Sequence, residues 1–298
     1  MVAILSRRHP LDLSTESLGE SLSELYHENS KLRPLPGAAP PSSYTLAELH
    51  AMARAHKRYR LHPQVSLPTV QDLPGNGVAF DEVVAARRTR RGFADADLGL
   101  GEVAKVLHQS YGITGELRVA GGGVLRLRAA PSAGALYPAE IYLGVRRVAG
   151  LAPGIYHYEV PKHALALLQA GDPTEQLCDV CCWLDQVREA AVVLLIAGVM
   201  QRAKRKYGER GYRYVLLDVG HLAQNLCLAG TALGLAVMTT CAFFDDAANQ
   251  LLRLDGVDDT VLYVALLGKP GSVAASDLVS TTGLESVGAD MAWERLSS

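Results

Sequence analysis

An uninterrupted apolar run, AAVVLLIAGV at residues 190–199, constrains the fold of this chain most strongly. A strand that is apolar at every position predicts the centre of a sheet covered on both faces. Three segments before it, VLRLRAAPS, AEIYLGVRRV and GIYHYEV, alternate in polarity or carry branched and aromatic side chains, as strands do. The amphipathic pattern from Tyr212 to Leu233 predicts a long helix. The sequence therefore predicts an α+β fold with helices packed over a central sheet.

The first quarter of the chain differs, because it has little apolar periodicity. Residues 12–30 and 44–60 predict polar helices, and the connector RPLPGAAPP between them cannot continue a helix. We therefore divide the chain into an N-terminal helical extension with a Pro-rich connector, residues 1–75, and a main domain, residues 76–298.

Charge and hydropathy exclude several classes of partner. A formal net charge of −2 gives no general reason to bind nucleic acid or an anionic membrane. The N-terminal MVAILSRRHP has too short an apolar run for a secretory signal, and the longest apolar run, residues 190–200, is about half a membrane span. We therefore expect a cytoplasmic protein that binds neither nucleic acid nor membrane.

The cysteines raise the question of a metal, because Cys178, Cys181 and Cys182 form the run CDVCC. A structural zinc site needs four ligands, usually two cysteine pairs or a cysteine pair with a histidine pair. The other two cysteines, Cys227 and Cys241, each lie alone in an apolar context. We therefore expect reduced, buried thiols and no metal site.

An arginine-rich segment, RRTRRGF at Arg87 to Phe93, follows a predicted helix on which Phe80, Val83 and Val84 share one face. A helix terminus that favours cations explains one or two of its four arginines. Guanidinium groups present paired donors that match phosphate oxygens. Four of them around one hydroxyl therefore indicate a bound anion such as phosphate.

Two further segments are ambiguous when taken alone. PSAGALYPAEIY, residues 131–142, is a small-residue turn before a strand, and such a turn lets a flat ring approach the backbone closely. KRKYGERGYRY, Lys204 to Tyr214, carries five cationic side chains and three tyrosines within eleven residues. A solvated connection and a functional cluster would both have this composition, so the residues leave both interpretations open.

The order of these motifs resembles that of the SagB-type, or McbC-type, dehydrogenases of the FMN-dependent nitroreductase superfamily. RRTRRGF, PSAGALYPAEIY, GIYHYEVPKHALALL and KYGERGYRYVLLDVGHLAQNLCLAGTALGL follow one another within residues 79–270, and YHENSK at 26–31 is similar to the leader segment of that family. The resemblance implies a nitroreductase-like fold with a central, mostly antiparallel sheet covered by helices. It also implies bound FMN and a homodimer whose flavin sites form between subunits.

The activity that the resemblance implies is oxidation of thiazoline and oxazoline rings in a peptide to thiazoles and oxazoles, with hydride transfer to FMN and reoxidation by dioxygen. The implied substrate is an azoline-containing peptide, either ribosomal or carrier-bound, and the implied partner is a cyclodehydratase or a peptide synthetase. The preference for thiazoline or oxazoline stays open. The alternatives are an NAD(P)H-dependent nitroreductase or ene-type reductase, and a degenerate scaffold partner of a cyclodehydratase.

The resemblance further assigns site residues. Those implied to hold the FMN phosphate and ribityl chain are Arg87, Arg88, Thr89 and Arg91. Those implied to border the isoalloxazine ring are Pro131, Ser132, Ala133 and Gly134. Backbone near the hydride-accepting nitrogen is implied for Met238, Thr239 and Thr240. The segment GKPGSVAASDLVSTTGLES offers only Lys269 as a further basic residue for the phosphate. The Lys-Tyr pair of the family corresponds to Lys206 and Tyr207, which would accept the proton that aromatisation removes from an adjacent carbon.

Overall fold

The computed structural model describes residues 21–31, 45, 56–73, 77–119, 123–182 and 185–271. The helices of these ranges are α1 Leu22–Asn29, α2 Phe80–Ala86, α3 Leu100–Tyr111, α4 Thr174–Val180, α5 Gln186–Glu189, α6 Met200–Tyr207, α7 Gly211–Ala232 and α8 Asp245–Leu252. The strands are β1 Gln64–Ser66, β2 Leu98–Gly99, β3 Ile113–Val119, β4 Gly123–Arg128, β5 Ala139–Val145, β6 Val148–Ala149, β7 Gly154–Glu159, β8 Ala164–Ala170, β9 Val192–Val199, β10 Ala236–Thr240 and β11 Asp259–Gly268. Short 3₁₀ turns include Ala133–Ala135 and Gly208–Arg210.

Seven strands form the main sheet in the order β1-β8-β7-β5-β9-β11-β10. Every neighbouring pair in this sheet is antiparallel, whereas the two short strands β2 and β6 pair in parallel outside it. The predicted α+β fold with a mostly antiparallel central sheet is therefore confirmed.

The apolar run lies at the centre of the sheet, as predicted. Alternate side chains of β9 point to opposite faces because a strand has a period of two. Leu194 and Ile196 join a core cluster that includes residues of α3 and α7. Val193 and Leu195 join a second cluster that includes residues of α4, α5 and α8. Helices on both faces explain why the strand needs no polar position.

In the described part of the N-terminal region, the predicted helix is absent from residues 56–60 and one unexpected strand is present. Within residues 12–30 the described part forms α1, but residues 56–60 are not helical and residues 46–55 lie outside the described ranges. The backbone N–H groups of Lys57 and Tyr59 donate to the Glu140 and Glu159 carboxylates instead of to a helix. The neighbouring strand β1 pairs with β8 and forms the edge of the main sheet. The boundary at residues 75 and 76 stays a prediction.

The three residues of the predicted apolar face of α2 differ in burial. Val83 is buried, whereas Phe80 is 69% exposed and Val84 is 49% exposed. This helix is seven residues long and packs against α7, and Phe80 and Val83 line a cavity there with Leu228 and Ala229 of α7. None of the helices in the described ranges is both long and apolar enough to cross a membrane.

Candidate functional site

The charged segment Lys204 to Tyr214 is a compact helical corner, not an extended connection. Helix α6 ends at Tyr207, Gly208 takes a φ of 56°, and a 3₁₀ turn leads into α7. The corner is tight, because a Cβ added at Gly211 would lie 2.8 Å from the Ala203 carbonyl carbon. Lys206 and Tyr207 therefore occupy the last turn of α6, at the inside of a fixed corner.

The small-residue turn meets this corner at Gly134. A Cβ added there would lie 2.5 Å from Lys206 Nζ and 2.7 Å from Tyr207 Oη, and Gly134 itself has a φ of 63°. Ala135 and Tyr137 also have positive φ values, 54° and 47°. For residues other than glycine, such conformations cost roughly 1–3 kcal/mol each, and they persist only where the surrounding structure holds them. The turn is therefore a strained, anchored piece of backbone beneath two polar side chains.

A buried carboxylate on α7 anchors the turn. Asp218, only 4% exposed, accepts hydrogen bonds from Ser132 Oγ at 2.5 Å and from the Ala133 N–H at 3.4 Å. Ser132 Oγ in turn accepts one from the Tyr137 N–H at 2.9 Å. Burial raises the pKa of Asp218, and the Ser132 hydrogen bond partly opposes that shift. Sequence reasoning missed Asp218, although a single acidic residue within the apolar VLLDVGHLA pattern was a usable signal.

A second buried network holds α6 against the sheet. Arg202, four residues before Lys206, pairs with Glu140 on β5 and donates to the Tyr137 carbonyl at 3.1 Å. His157 Nε2 lies 2.8 Å from the other Glu140 oxygen. Burial alone would raise the pKa of Glu140, but Arg202 and His157 outweigh it and hold that pKa well below its ordinary value. The pair therefore fixes both the turn and the helix that carries Lys206.

Replacing Glu140 with Gln should lower the free energy of unfolding at neutral pH by about 3 kcal/mol, because Arg202 is left as a buried, unpaired charge. The depressed pKa of Glu140 contributes stability above its unfolded value of 4.5 and loses it as the pH falls below that value. The difference between parent and Glu140→Gln should therefore shrink in acid. Urea unfolding of both proteins at pH 7 and pH 4 checks this, and an equal difference at the two pH values would contradict it.

The arginine segment lies elsewhere, beside strand β10. The Arg90 N–H donates to the Val237 carbonyl at 3.0 Å. Burial raises the pKa of Cys227, while the nearby Arg87 guanidinium and a hydrogen bond with Thr239 lower it. Arg87 thus lies close to Cys227 on α7 and to β10.

Two of the implied phosphate ligands, Arg87 and Arg91, form no ion pair with a carboxylate of the described residues. Arg88 is partly engaged, since Nη1 donates to the Ala85 and Arg87 carbonyls at the end of α2. Thr89 is exposed. Unpaired guanidinium groups beside an exposed hydroxyl suit an anionic ligand such as the phosphate of FMN.

The remaining implied cofactor residues have mixed surroundings. The Met238 side chain is buried in the core, so only its backbone could face a ligand. Thr239 Oγ1 accepts a hydrogen bond from Tyr263 Oη at 3.1 Å, and Thr240 Oγ1 accepts one from the Ala242 N–H at 2.9 Å. Tyr263 was not predicted, because only the strand pairing of β10 with β11 brings it here.

Lys269 lies next to the arginine segment through its backbone, but its amine points to a carboxylate. Its carbonyl accepts from the Ala94 N–H at 2.9 Å, while Nζ lies 2.6 Å from Glu102 Oε1. The other Glu102 oxygen accepts from the Gly99 N–H and caps α3. The assignment of Lys269 to the FMN phosphate stays a prediction.

The site residues therefore fall into two groups within one chain. We call Arg87 to Arg91 with Thr239 the arginine group, and residues 131–134 with Lys206 and Tyr207 the Lys-Tyr group. Each touches α7, the first near Cys227 and the second at Asp218. Nine residues of helix correspond to about 13 Å along its axis. No hydrogen bond or ion pair links the two groups across the described ranges.

The sequence model of the nitroreductase family matches residues 84–269, more than half of the chain. The chain belongs to the nitroreductase family. The predicted relation to McbC-type members is also confirmed, since this nitroreductase is similar to proteins of that type. Members of the family generally bind flavin.

Three relatives illustrate its range. MJ1384 of Methanocaldococcus jannaschii, whose name describes it as a nitroreductase, is 32% identical to this chain. The match covers 64% of this chain and 90% of MJ1384. The trifolitoxin-processing protein TfxB of Rhizobium leguminosarum bv. trifolii is 26% identical, over 70% of this chain and 57% of TfxB. The microcin B17-processing protein McbC of Escherichia coli is 29% identical, over 46% of this chain and 53% of McbC. This nitroreductase thus spans little more than half of the length of TfxB and McbC.

Solved structures agree with the fold. A nitroreductase-family protein from Anabaena variabilis superposes with a TM-score of 0.67 at 26% identity, covering 86% of this chain and 49% of that chain. A chain of the E. coli microcin synthetase McbBCD complex with truncated pro-MccB17 bound superposes with a TM-score of 0.54 at 20% identity. The match covers 84% of this chain and 92% of that chain. At that identity the second comparison supports the nitroreductase fold alone.

Within the described parts of the chain, no group of three or more His, Cys, Asp or Glu side chains is arranged to hold a metal ion.

Proposed function

We propose that this nitroreductase is an FMN-dependent oxidase that converts thiazoline or oxazoline rings in a peptide to thiazoles or oxazoles. The observation that carries the proposal is the contact of Gly134 with both Lys206 and Tyr207. It puts an amine and a phenol beside the small-residue turn that the family resemblance implies to border the flavin ring. Simple reduction of a nitro group needs no such pair.

Aromatisation removes a hydride and a proton from the substrate ring, and we assign these two transfers to different groups. FMN, when bound, would supply the hydride acceptor, with dioxygen as the final electron acceptor. The ring also loses a proton from an adjacent carbon, and Lys206 Nζ or Tyr207 Oη accepts that proton. Lys206 Nζ lies 5.2 Å from the centre of the Tyr207 ring, so both groups can reach one substrate ring. Asp218 and Arg202 act indirectly, because they hold the turn and α6.

A peptide substrate fits the relatives. TfxB and McbC are named for processing trifolitoxin and microcin B17, and the McbBCD structure holds a truncated pro-MccB17. We extend this to an azoline-containing peptide as substrate and to a cyclodehydratase or peptide synthetase as partner. Mass spectrometry of an azoline peptide before and after incubation tests the proposal, because each aromatised ring loses two hydrogens. Unchanged peptide mass with NAD(P)H-dependent reduction of a nitro compound would favour the alternative enzyme.

We also propose a homodimer in which each flavin touches both subunits. The first third of α7 exposes Leu216 and Leu217, which are 43% and 56% exposed, although α7 packs against the core on its other side. Two antiparallel copies of α7 would cover this face. They would also bring the arginine group of one subunit toward the Lys-Tyr group of its partner, so that a single FMN could contact both chains.

Replacing Leu217 with Arg should convert the dimer to a monomer and release FMN, because the change buries a charge in the apolar interface. Light scattering combined with the flavin absorbance of each species measures both effects. Leu61→Arg is the matched control, since Leu61 is 99% exposed, and it should leave dimer and flavin unchanged. A flavin-loaded monomer would contradict the shared site.

A further inference from the structure

The N-terminal helix α1 is tied to the corner that carries Lys206 and Tyr207, although 183 residues separate Tyr26 from Glu209. Tyr26 Oη donates to the Glu209 carbonyl at 3.2 Å and accepts a hydrogen bond from the Arg213 N–H at 3.1 Å. One hydroxyl thus bridges the 3₁₀ turn and the first turn of α7.

This hydroxyl supplies a cap that α7 lacks. The first N–H groups of a helix have no partner within the helix, and a side chain at the N-cap position often accepts from one of them. The N-cap residue of α7, Arg210, makes no such side-chain hydrogen bond. Tyr26 takes its place from another part of the chain. Its ring also packs edge-on against Tyr212, with 5.5 Å between the ring centres.

A second set of contacts continues from the end of α1 to the Lys-Tyr group. Arg210 donates from Nη1 to the Ser30 carbonyl at 2.9 Å and from Nε to Tyr214 Oη at 3.1 Å. The Tyr214 ring packs edge-on against the Tyr207 ring, with 4.8 Å between their centres. Tyr207 in turn lies over Gly134. Contacts therefore run without a gap from α1 to the proposed proton acceptors.

Apolar burial contributes little to the docking of α1. Leu22 and Leu25 are 76% and 61% exposed, and α1 has no buried residue. Besides the Tyr26 and Ser30 contacts, Arg213 Nη2 donates to the His27 carbonyl at 2.7 Å. Because a few polar contacts hold the helix, the loss of a single hydroxyl should have a measurable effect.

We propose that α1 is a positioning element for the Lys-Tyr group, and that Tyr26 is its main positioning residue. By capping α7 and holding residues 208–214, it keeps the Tyr207 hydroxyl beside Gly134. The effect on catalysis rests on the proposed function of Lys206 and Tyr207. The mechanical link between α1 and the corner rests only on the contacts described.

Tyr26→Phe tests the inference, because it removes the hydroxyl and keeps the ring. We expect amide hydrogen exchange of residues 207–214 to accelerate by roughly 5-fold, in line with the loss of one helix cap. The kcat for azoline oxidation should fall by a similar factor, with KM and FMN content unchanged. Tyr26→Ala should have a larger effect on both. Tyr212→Phe is the matched control and should change neither, since the Tyr212 hydroxyl has no hydrogen-bond partner among the described residues.

Unchanged exchange of residues 207–214 in both Tyr26 variants would overturn the inference whatever their activity. Faster exchange with an unchanged kcat would overturn the positioning role. A lower melting temperature for Tyr26→Ala, with unchanged hydrogen exchange of residues 207–214, would indicate that α1 only stabilises the fold. That result would also overturn the inference. A parent protein that oxidises no azoline would count against the proposed function alone, and the exchange measurement would still decide whether α1 holds the corner.

Discussion

Lys206→Ala and Tyr207→Phe should keep FMN and the dimer, yet lose azoline oxidation. A general acid or base contributes about 100-fold to 10,000-fold, so the residue that accepts the proton should show a loss of that size. Both side chains lie within contact distance of the position that a Cβ at Gly134 would occupy, and neither touches the arginine group. Single-turnover oxidation of an azoline peptide, followed by mass, measures the loss, and the flavin spectrum confirms that the cofactor is retained.

Lys204→Ala is the matched control for this pair. Lys204 lies in the same helix, but its amine is not among the atoms nearest Gly134 and pairs with the exposed Glu209 carboxylate at 3.0 Å, so its removal should lower the rate far less than loss of the proton acceptor. Reduction of a nitro compound should tolerate Lys206→Ala, because its protons come from solvent. A Lys206→Ala, Tyr207→Phe double variant that binds FMN and converts azoline near the parent rate would defeat the mechanism.

Replacing Arg87 and Arg91 together with Ala should strip the flavin and leave the fold intact. Each charged hydrogen bond to phosphate contributes about 1.5–3 kcal/mol, so the double variant should bind FMN at least roughly 100-fold more weakly. Flavin titration measures affinity, and circular dichroism monitors the fold. The double control Arg126→Ala, Arg188→Ala removes two exposed arginines that pair with Glu116 and Glu175, and it should retain FMN. Full retention of FMN without Arg87 and Arg91 would refute the phosphate assignment.

The parts of the fold that the sequence predicted correctly are those where local pattern and tertiary burial agree. In β9 every position but the last is buried, so its apolar run has one interpretation. Helix α7 begins and ends within a residue of the predicted Tyr212 and Leu233. On α2 the pattern gave the shared face of Phe80, Val83 and Val84 but not how deeply each side chain is buried, because burial depends on the neighbouring elements. Residues 56–60 do not form the predicted helix, because backbone N–H groups of this segment donate to the carboxylates of Glu140 and Glu159. No local sequence pattern reveals such distant partners.

The candidate site depended on contacts between distant segments. Composition left the segment Lys204 to Tyr214 undecided between a connection and a cluster, and its helical corner follows from packing of Gly211 on Ala203. The meeting of Gly134 with Lys206 is a tertiary contact, so only the family resemblance pointed to it. The apolar pattern around Asp218 was a signal that this carboxylate is special, but its partners, like those of Tyr26, could not be inferred, because they come from distant parts of the chain.

The separation of the two groups along α7 has a genetic consequence. If each site combines the arginine group of one subunit with the Lys-Tyr group of its partner, two inactive chains can complement each other. A dimer of a Lys206→Ala chain and an Arg87→Ala, Arg91→Ala chain would contain one site with both defects and one intact site. Random mixing, in which half of the dimers are mixed, would restore about a quarter of the parent activity. Sites confined to single chains would restore none, so co-expression of two dead alleles distinguishes the two arrangements.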